Sequence, residues 1–133
     1  MAPDREYLVD PDCLYHREHT WVRMDGGEAV VGLTDFAQRE MGAISMADLP
    51  EEGDEVDEGK PFGTLESGKW VQKLVAPVGG EIVEVNRPAA VSSSIVNRDP
   101  YGKGWLVRIG VRDPSAIAGL MKPEEYRAFC VKE

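Results

Sequence analysis

Between Trp21 and Ile109 the chain is cut into short β-branched segments, "TWVRM", "EAVVGL", "AISMADLP", "KPFGTLES", "KWVQKLVAPV", "GEIVEVN" and "GWLVRIGV", each closed by glycine, proline or acidic residues. Short strands at near-regular spacing predict a β sandwich or barrel of antiparallel sheets rather than a parallel α/β sheet. Helix is expected only at the margins. "TDFAQREMG" offers Thr34 or Asp35 as N-cap, Gln38 as the capping-box partner of Asp35, and Gly42 as a stop. "DPSAIAGLMKPEEYRAF" places Pro114 and Pro123 in first turns and Glu124 and Glu125 near a positive helix end, predicting two short helices that cap the sheet. At 133 residues the chain suits one main domain with small appendages.

Composition removes several function classes. Fifteen basic residues against twenty-four acidic ones give a formal charge of -9, which repels nucleic acid phosphate. The start "MAPDREYLVDPD" is charged where a signal peptide needs an apolar core, and no apolar run has membrane-spanning length, so a cytoplasmic protein with no membrane partner is expected. Cys13 and Cys130 lie near opposite ends and would pair only if the termini meet; two inert or surface thiols are the preferred reading. The acidic run "PEEGDEVDEGK" reads as a solvated loop between strands. A faint echo links "GDEVDEGKPF" with "GGEIVEVNRPA", suggesting two similar hairpins on either side of Lys69.

Lys69 itself lies in "GTLESGKWVQKLVAPVGGEIVEVN". If "PFGTLES" and "WVQKLVAPV" pair, Gly68 and Lys69 become the two central residues of a hairpin, and glycine first suits a type II′ turn with positive φ. A lysine on a turn is commonly just solvated. Its surroundings add weight, with Glu66 three residues before it, Gly59 ten before and Gly80 eleven after. An exposed, conformationally fixed amine at a sharp corner can enter the active site of a modifying ligase.

"ESGK" followed by "LVAPVGGEIVEVN" resembles a lipoyl attachment hairpin, and the chain as a whole resembles the H-protein family of the glycine cleavage system. "EHTWV", "VGLTDFAQREMG", "DLPEEGDEV", "PFGTLES", "NRDPYGKGWL" and the helical ending carry the likeness in order from Tyr15 to Phe129. The resemblance implies a mainly β fold, the flattened lipoyl domain or barrel-sandwich hybrid of two antiparallel sheets with short peripheral helices, some of them C-terminal. Residues 1–14 would be an N-terminal extension and 15–133 the carrier domain with its helical cap. It further implies a non-catalytic carrier with lipoate in amide linkage on Lys69, flanked by Glu66, Ser67, Gly68 and Trp70 as recognition residues, and modified by a lipoate ligase or lipoyl transferase. A biotin carrier would show methionines on both sides of the lysine, where this chain has Gly68 and Trp70.

Several positions depart from the family pattern. Trp70 and Lys73 follow the lysine where small and polar residues are usual, Gly68 replaces a valine, Ala43 an aspartate, and Thr20 a glutamate; "SMADLP" is less apolar than its counterparts. These changes lie where a carrier meets partners. They favour the lipoate-binding branch associated with heterodisulfide-reductase-like sulfur oxidation, in which the partner would be that complex and the cargo sulfur. The alternative is glycine cleavage itself, with the aminomethyl group as cargo and the decarboxylase, aminomethyltransferase and dihydrolipoyl dehydrogenase as partners. A lipoate-free interaction domain is the second alternative.

Other candidates are weaker. Cys13, His16 and His19 recur every three residues, which on a helix would present three zinc ligands on one face, yet no fourth ligand is evident and His19 suits a packing or hydrogen-bonding role. Ser92 to Ser94 read as loop residues without a nucleophile elbow. Trp21 and Trp105 are expected in the core, and "DPYGKGW" around Tyr101 as a turn.

Overall fold

The computed structural model describes residues 7–132, so the first six residues of the expected N-terminal extension, and Glu133, lie outside the described residues. Among the described residues, nine strands form two antiparallel sheets. The larger takes β1 (Leu14–Tyr15), β2 (Thr20–Asp25), β3 (Glu28–Leu33), β5 (Glu55–Val56), β8 (Gly80–Val85) and β9 (Val107–Val111) in the order β1-β2-β3-β9-β8-β5. The smaller is β4 (Ile44–Asp48), β6 (Pro61–Ser67) and β7 (Val71–Val75), with β6 in the middle. Alternation along each strand sends one set of side chains inward. Val22, Val31, Ile82 and Ile109 from the large sheet meet Ile44, Leu65 and Leu74 from the small one in a common core. Each such fully buried aliphatic side chain contributes about 1.5–3 kcal/mol relative to exposure.

The two halves of the echo noted in the sequence do not form separate hairpins on either side of Lys69 but pair with each other. Val56 and Glu55 from its first half pair with Gly80 and Glu81 from its second. The acidic run is therefore partly a strand rather than wholly a loop, and Arg112 clasps it through Glu55 at 2.6 Å and Asp57 at 3.5 Å.

The helix α1 (Asp35–Met41) starts at Thr34, whose Oγ1 accepts the Ala37 N–H at 3.2 Å, and ends at Gly42 with φ 79°. The expected Asp35–Gln38 capping box does not form, because Thr34 takes the cap. Gln38 instead donates to the Asp35 carboxylate at 2.7 Å. That carboxylate, buried, also accepts from Arg39 and from the Leu8 backbone N–H, strapping the N-terminal segment to α1.

Helix is not confined to the margins as the sequence suggested. Two single turns, α2 (Arg87–Val91) and α3 (Ile95–Arg98), bridge β8 and β9, and Ser92 to Ser94 join them. They are too short to show a helical period, and are held by burial of Ala89 and Val96. At the C-terminus the first expected helix is a 3₁₀ turn (Pro114–Gly119) and the second is α4 (Pro123–Val131), with proline in the first turn of each.

The helix α4 closes a second cluster. Tyr126 stacks on Tyr15 with centroids 4.5 Å apart, among Tyr7, Cys13, Trp21 and Cys130. Both cysteines are buried rather than at the surface. Trp21 packs as expected, whereas Trp105 is only half-buried at the edge of this cluster.

Candidate functional site

The antiparallel register Leu65↔Gln72 and Glu66↔Val71 brings β6 and β7 to a tight reversal at residues 67–70. The Ser67 N–H donates to the Trp70 carbonyl at 2.9 Å, leaving Gly68 and Lys69 as the central pair. The Lys69 N–H leans on Ser67 Oγ at 3.4 Å. The hairpin is the expected one but the turn type is not. Gly68 does not adopt positive φ, so this is not a type II′ turn. Glycine permits positive φ without requiring it, and the reversal closes through the Ser67 N–H to Trp70 carbonyl bond without left-handed backbone at Gly68. A Cβ at Gly68 would meet open space.

Lys69 is exposed, and among the described residues its amine makes no ion pair or hydrogen bond. Below it everything is anchored. Leu65 and Leu74 are fully buried, and β4 pairs along β6 as Ile44↔Ser67 and Met46↔Glu66 with a bulge that turns Ser45 outward.

A neighbour that sequence reasoning missed is Gly42. An ideal Cβ there would lie 3.7 Å from Lys69 Cε, so the lysine stem lies over the end of α1. Gly42 at φ 79° and ψ -159° occupies a region essentially reserved for glycine. Asn97 on α3 fixes this ledge by accepting from the Ile44 N–H at 2.8 Å and donating to the Gly42 carbonyl at 2.9 Å and Gln38 Oε1 at 2.7 Å. Gly42 had a helix-stop signal in the sequence; Asn97 had none.

The expected recognition residues gather around the tip. Glu66 and Ser67 are half-buried at the end of β6, Gly68 is exposed, and Trp70 is 51% exposed. Val71 and Met46, 61% and 55% exposed, flank Glu66 on the outer face of the small sheet.

The other sequence candidates sit elsewhere. Cys13, His16 and His19 are not on a helix; they belong to turns around β1, and no group of three or more metal-ligating side chains occurs among the described residues. His19 holds φ 74° and places Nδ1 2.7 Å from the Tyr126 hydroxyl, which also bonds Thr34 Oγ1 at 2.7 Å. It links α4 to the cap of α1. Burial pushes the Cys13 thiol up to about 12, aided by Asp10, so it is no nucleophile. Thr20, where the family pattern has glutamate, is buried and donates to the Val75 carbonyl at 2.9 Å.

With this geometry in hand, the relatives decide the family. The glycine cleavage H-protein family model matches residues 13–133. The chain belongs to the glycine cleavage H-protein family. Its relatives include the glycine cleavage system H protein of Carboxydothermus hydrogenoformans, 41% identical over 126 residues, covering 95% of this chain and 97% of that one. The H protein of Rubrobacter xylanophilus is 47% identical over 118 residues, covering 89% and 91%. Among solved structures, an H protein from Mycobacterium marinum superposes with a TM-score of 0.83 at 34% identity, over 90% of this chain and 97% of that one. H proteins are non-catalytic carriers with lipoate joined covalently to a lysine, and the mainly β architecture of this chain is theirs. No helix among the described residues is long and apolar enough to cross a membrane.

Proposed function

We propose that Lys69 is the lipoyl attachment residue and that the chain carries the aminomethyl group of glycine cleavage between the decarboxylase, the aminomethyltransferase and dihydrolipoyl dehydrogenase. The observation that carries the attachment site is the unpartnered Lys69 amine, exposed on a hairpin whose strands are anchored in the core. Acylation there removes one surface charge and breaks no interaction of the fold. Lipoate on that amine supplies a dithiol–disulfide end whose thiolate form is the nucleophile.

The chain's own residues have a narrower task. The ledge at Gly42 and Asn97 directs the stem, the anchored hairpin presents it, and tethering raises the local concentration of the carried group at a docked enzyme. No side chain of the tip need give or take a proton. The glycine cleavage cargo rests on the relatives named above, each a glycine cleavage system H protein; none of these supports the sulfur-oxidation reading favoured by the sequence alone.

One observation keeps sulfur as a second reading. Lys73, where small and polar residues are usual in the family pattern, is exposed on β7 and offers a carried amine a cation rather than a carboxylate. Mass spectrometry of protein purified from its own host tests the carrier. A lipoyl increment on the peptide bearing Lys69 is expected, and unmodified protein refutes it. Loading of the lipoylated protein with methylamine by glycine decarboxylase separates the cargoes, because its absence overturns the aminomethyl reading.

A further inference from the structure

We propose that Trp70 is the resting platform for the dithiolane end of the group carried by Lys69, an inference that rests on the lipoyl reading of that lysine. Of the three tryptophans, Trp21 is fully buried and Trp105 half-buried, while Trp70 leaves 51% of its surface exposed beside the attachment residue. An indole in water serves no core.

This one is also held in place. Its Nε1–H donates to Gln72 Oε1 at 3.2 Å, Gln72 Nε2 donates to the Lys73 carbonyl at 3.1 Å, and the Trp70 carbonyl accepts from Ser67. The polar edge of the ring is thereby occupied, which leaves its apolar faces to offer. Gln72 lies opposite buried Leu65, so the indole hangs on the core-facing side of the small sheet, just past the point where the core ends. The lysine stem leans toward Gly42, next to buried Met41 of α1.

A five-membered ring containing two sulfurs is the apolar, polarisable partner that an aromatic face attracts. Its tether to the adjacent residue makes the encounter intramolecular, so even a weak contact is populated. Opening that ring takes two electrons and two protons and yields two thiols on a longer, more mobile end. Trp70 thus holds the closed disulfide form in preference to the open dithiol, sheltering the disulfide from stray thiols until a partner enzyme takes it.

The test compares apo, lipoylated and dithiothreitol-reduced protein, with lipoylation verified by mass. Emission of Trp70 is isolated by subtracting that of Trp70→Leu in each state. Disulfides quench indole emission on contact, and the tether keeps the ring close, so loss of Trp70 emission is expected on lipoylation. It recovers on reduction. Nuclear Overhauser contacts between the indole and the dithiolane methylenes accompany the quenching, and Trp70→Phe keeps such contacts at its own ring. Lipoylated protein with unchanged Trp70 emission and no such contacts overturns the platform while leaving the carrier intact. So does a change in Trp70 emission that appears only when a partner enzyme is added, since the occupant is then the partner. A Lys69 found unmodified defeats the lipoyl reading, and the platform with it.

Discussion

On the reading proposed above, Lys69 owes its role to what surrounds it rather than to its own chemistry. Its amine is unpartnered, so Lys69→Arg exchanges one exposed cation for another and should leave stability within about 0.5 kcal/mol in urea unfolding. The same variant should show no lipoyl increment by mass, because a guanidinium is not a substrate for acylation. The opposite case is Gly32, which sits directly across from Trp21 in the β2/β3 ladder. A Cβ there would stand 2.6 Å from the indole ring, which is fully buried and tied by Nε1 to the Pro100 carbonyl at 3.1 Å. With no room for the ring to retreat, Gly32→Ala should cost about 1–3 kcal/mol, read as a lowered urea midpoint. Neither outcome follows from residue type alone. An exposed lysine and a strand glycine are both commonplace until their neighbours are known.

Among the elements, α3 matters more than its single turn suggests. Asn97 gathers the end of α1 and the start of β4, and no other helix of the described residues is joined to the lysine's ledge by side-chain hydrogen bonds on both sides. Asn97→Ala removes an acceptor from the Ile44 N–H and a donor from the Gly42 carbonyl, with an expected loss of about 2–3 kcal/mol. The loosened ledge should also slow lipoylation of the folded apoprotein by a lipoate ligase, measured at a temperature where the variant remains native. The helix α1 was legible from Thr34 and Gly42 because caps are local chemistry. By contrast α2 and α3 left no mark, since a single turn buries one or two side chains and has no period to read. The hairpin was legible from its flanking strands. Its turn type was not, because glycine permits positive φ without requiring it.

At the scale of the molecule, the second cluster sets an upper pH limit. Burial raises Cys13 from 9.0 to about 12, and raises Tyr15, Tyr101 and Tyr126 above their ordinary value of 10.0. The folded chain keeps protons that the unfolded chain releases, so this contribution is complete below about pH 9 and is lost as pH climbs beyond it. Thermal unfolding followed from pH 7 to 11 should show a falling midpoint above pH 9. Tyrosinate absorbance from these three rings should rise with unfolding rather than ahead of it, and Cys13 should resist alkylation until then. The net charge of -9 acts at the same scale. Arg108 and Arg112 pair with five of the carboxylates on the large sheet and its acidic edge, which leaves the molecule anionic overall and suited to steering toward basic partners.

Strand spacing, the caps of α1, the prolines opening the last two helical segments and the lysine between two strand segments are properties of adjacent residues, so the chain alone determined the β architecture and singled out Lys69. What Lys69 rests on was decided only by folding. Gly42 meets the lysine stem from the end of α1, Asn97 holds Gly42 from α3, and the network of His19, Thr34 and Tyr126 spans 107 residues. Contacts of that separation arise from how two sheets pack, and no local pattern of residues encodes them.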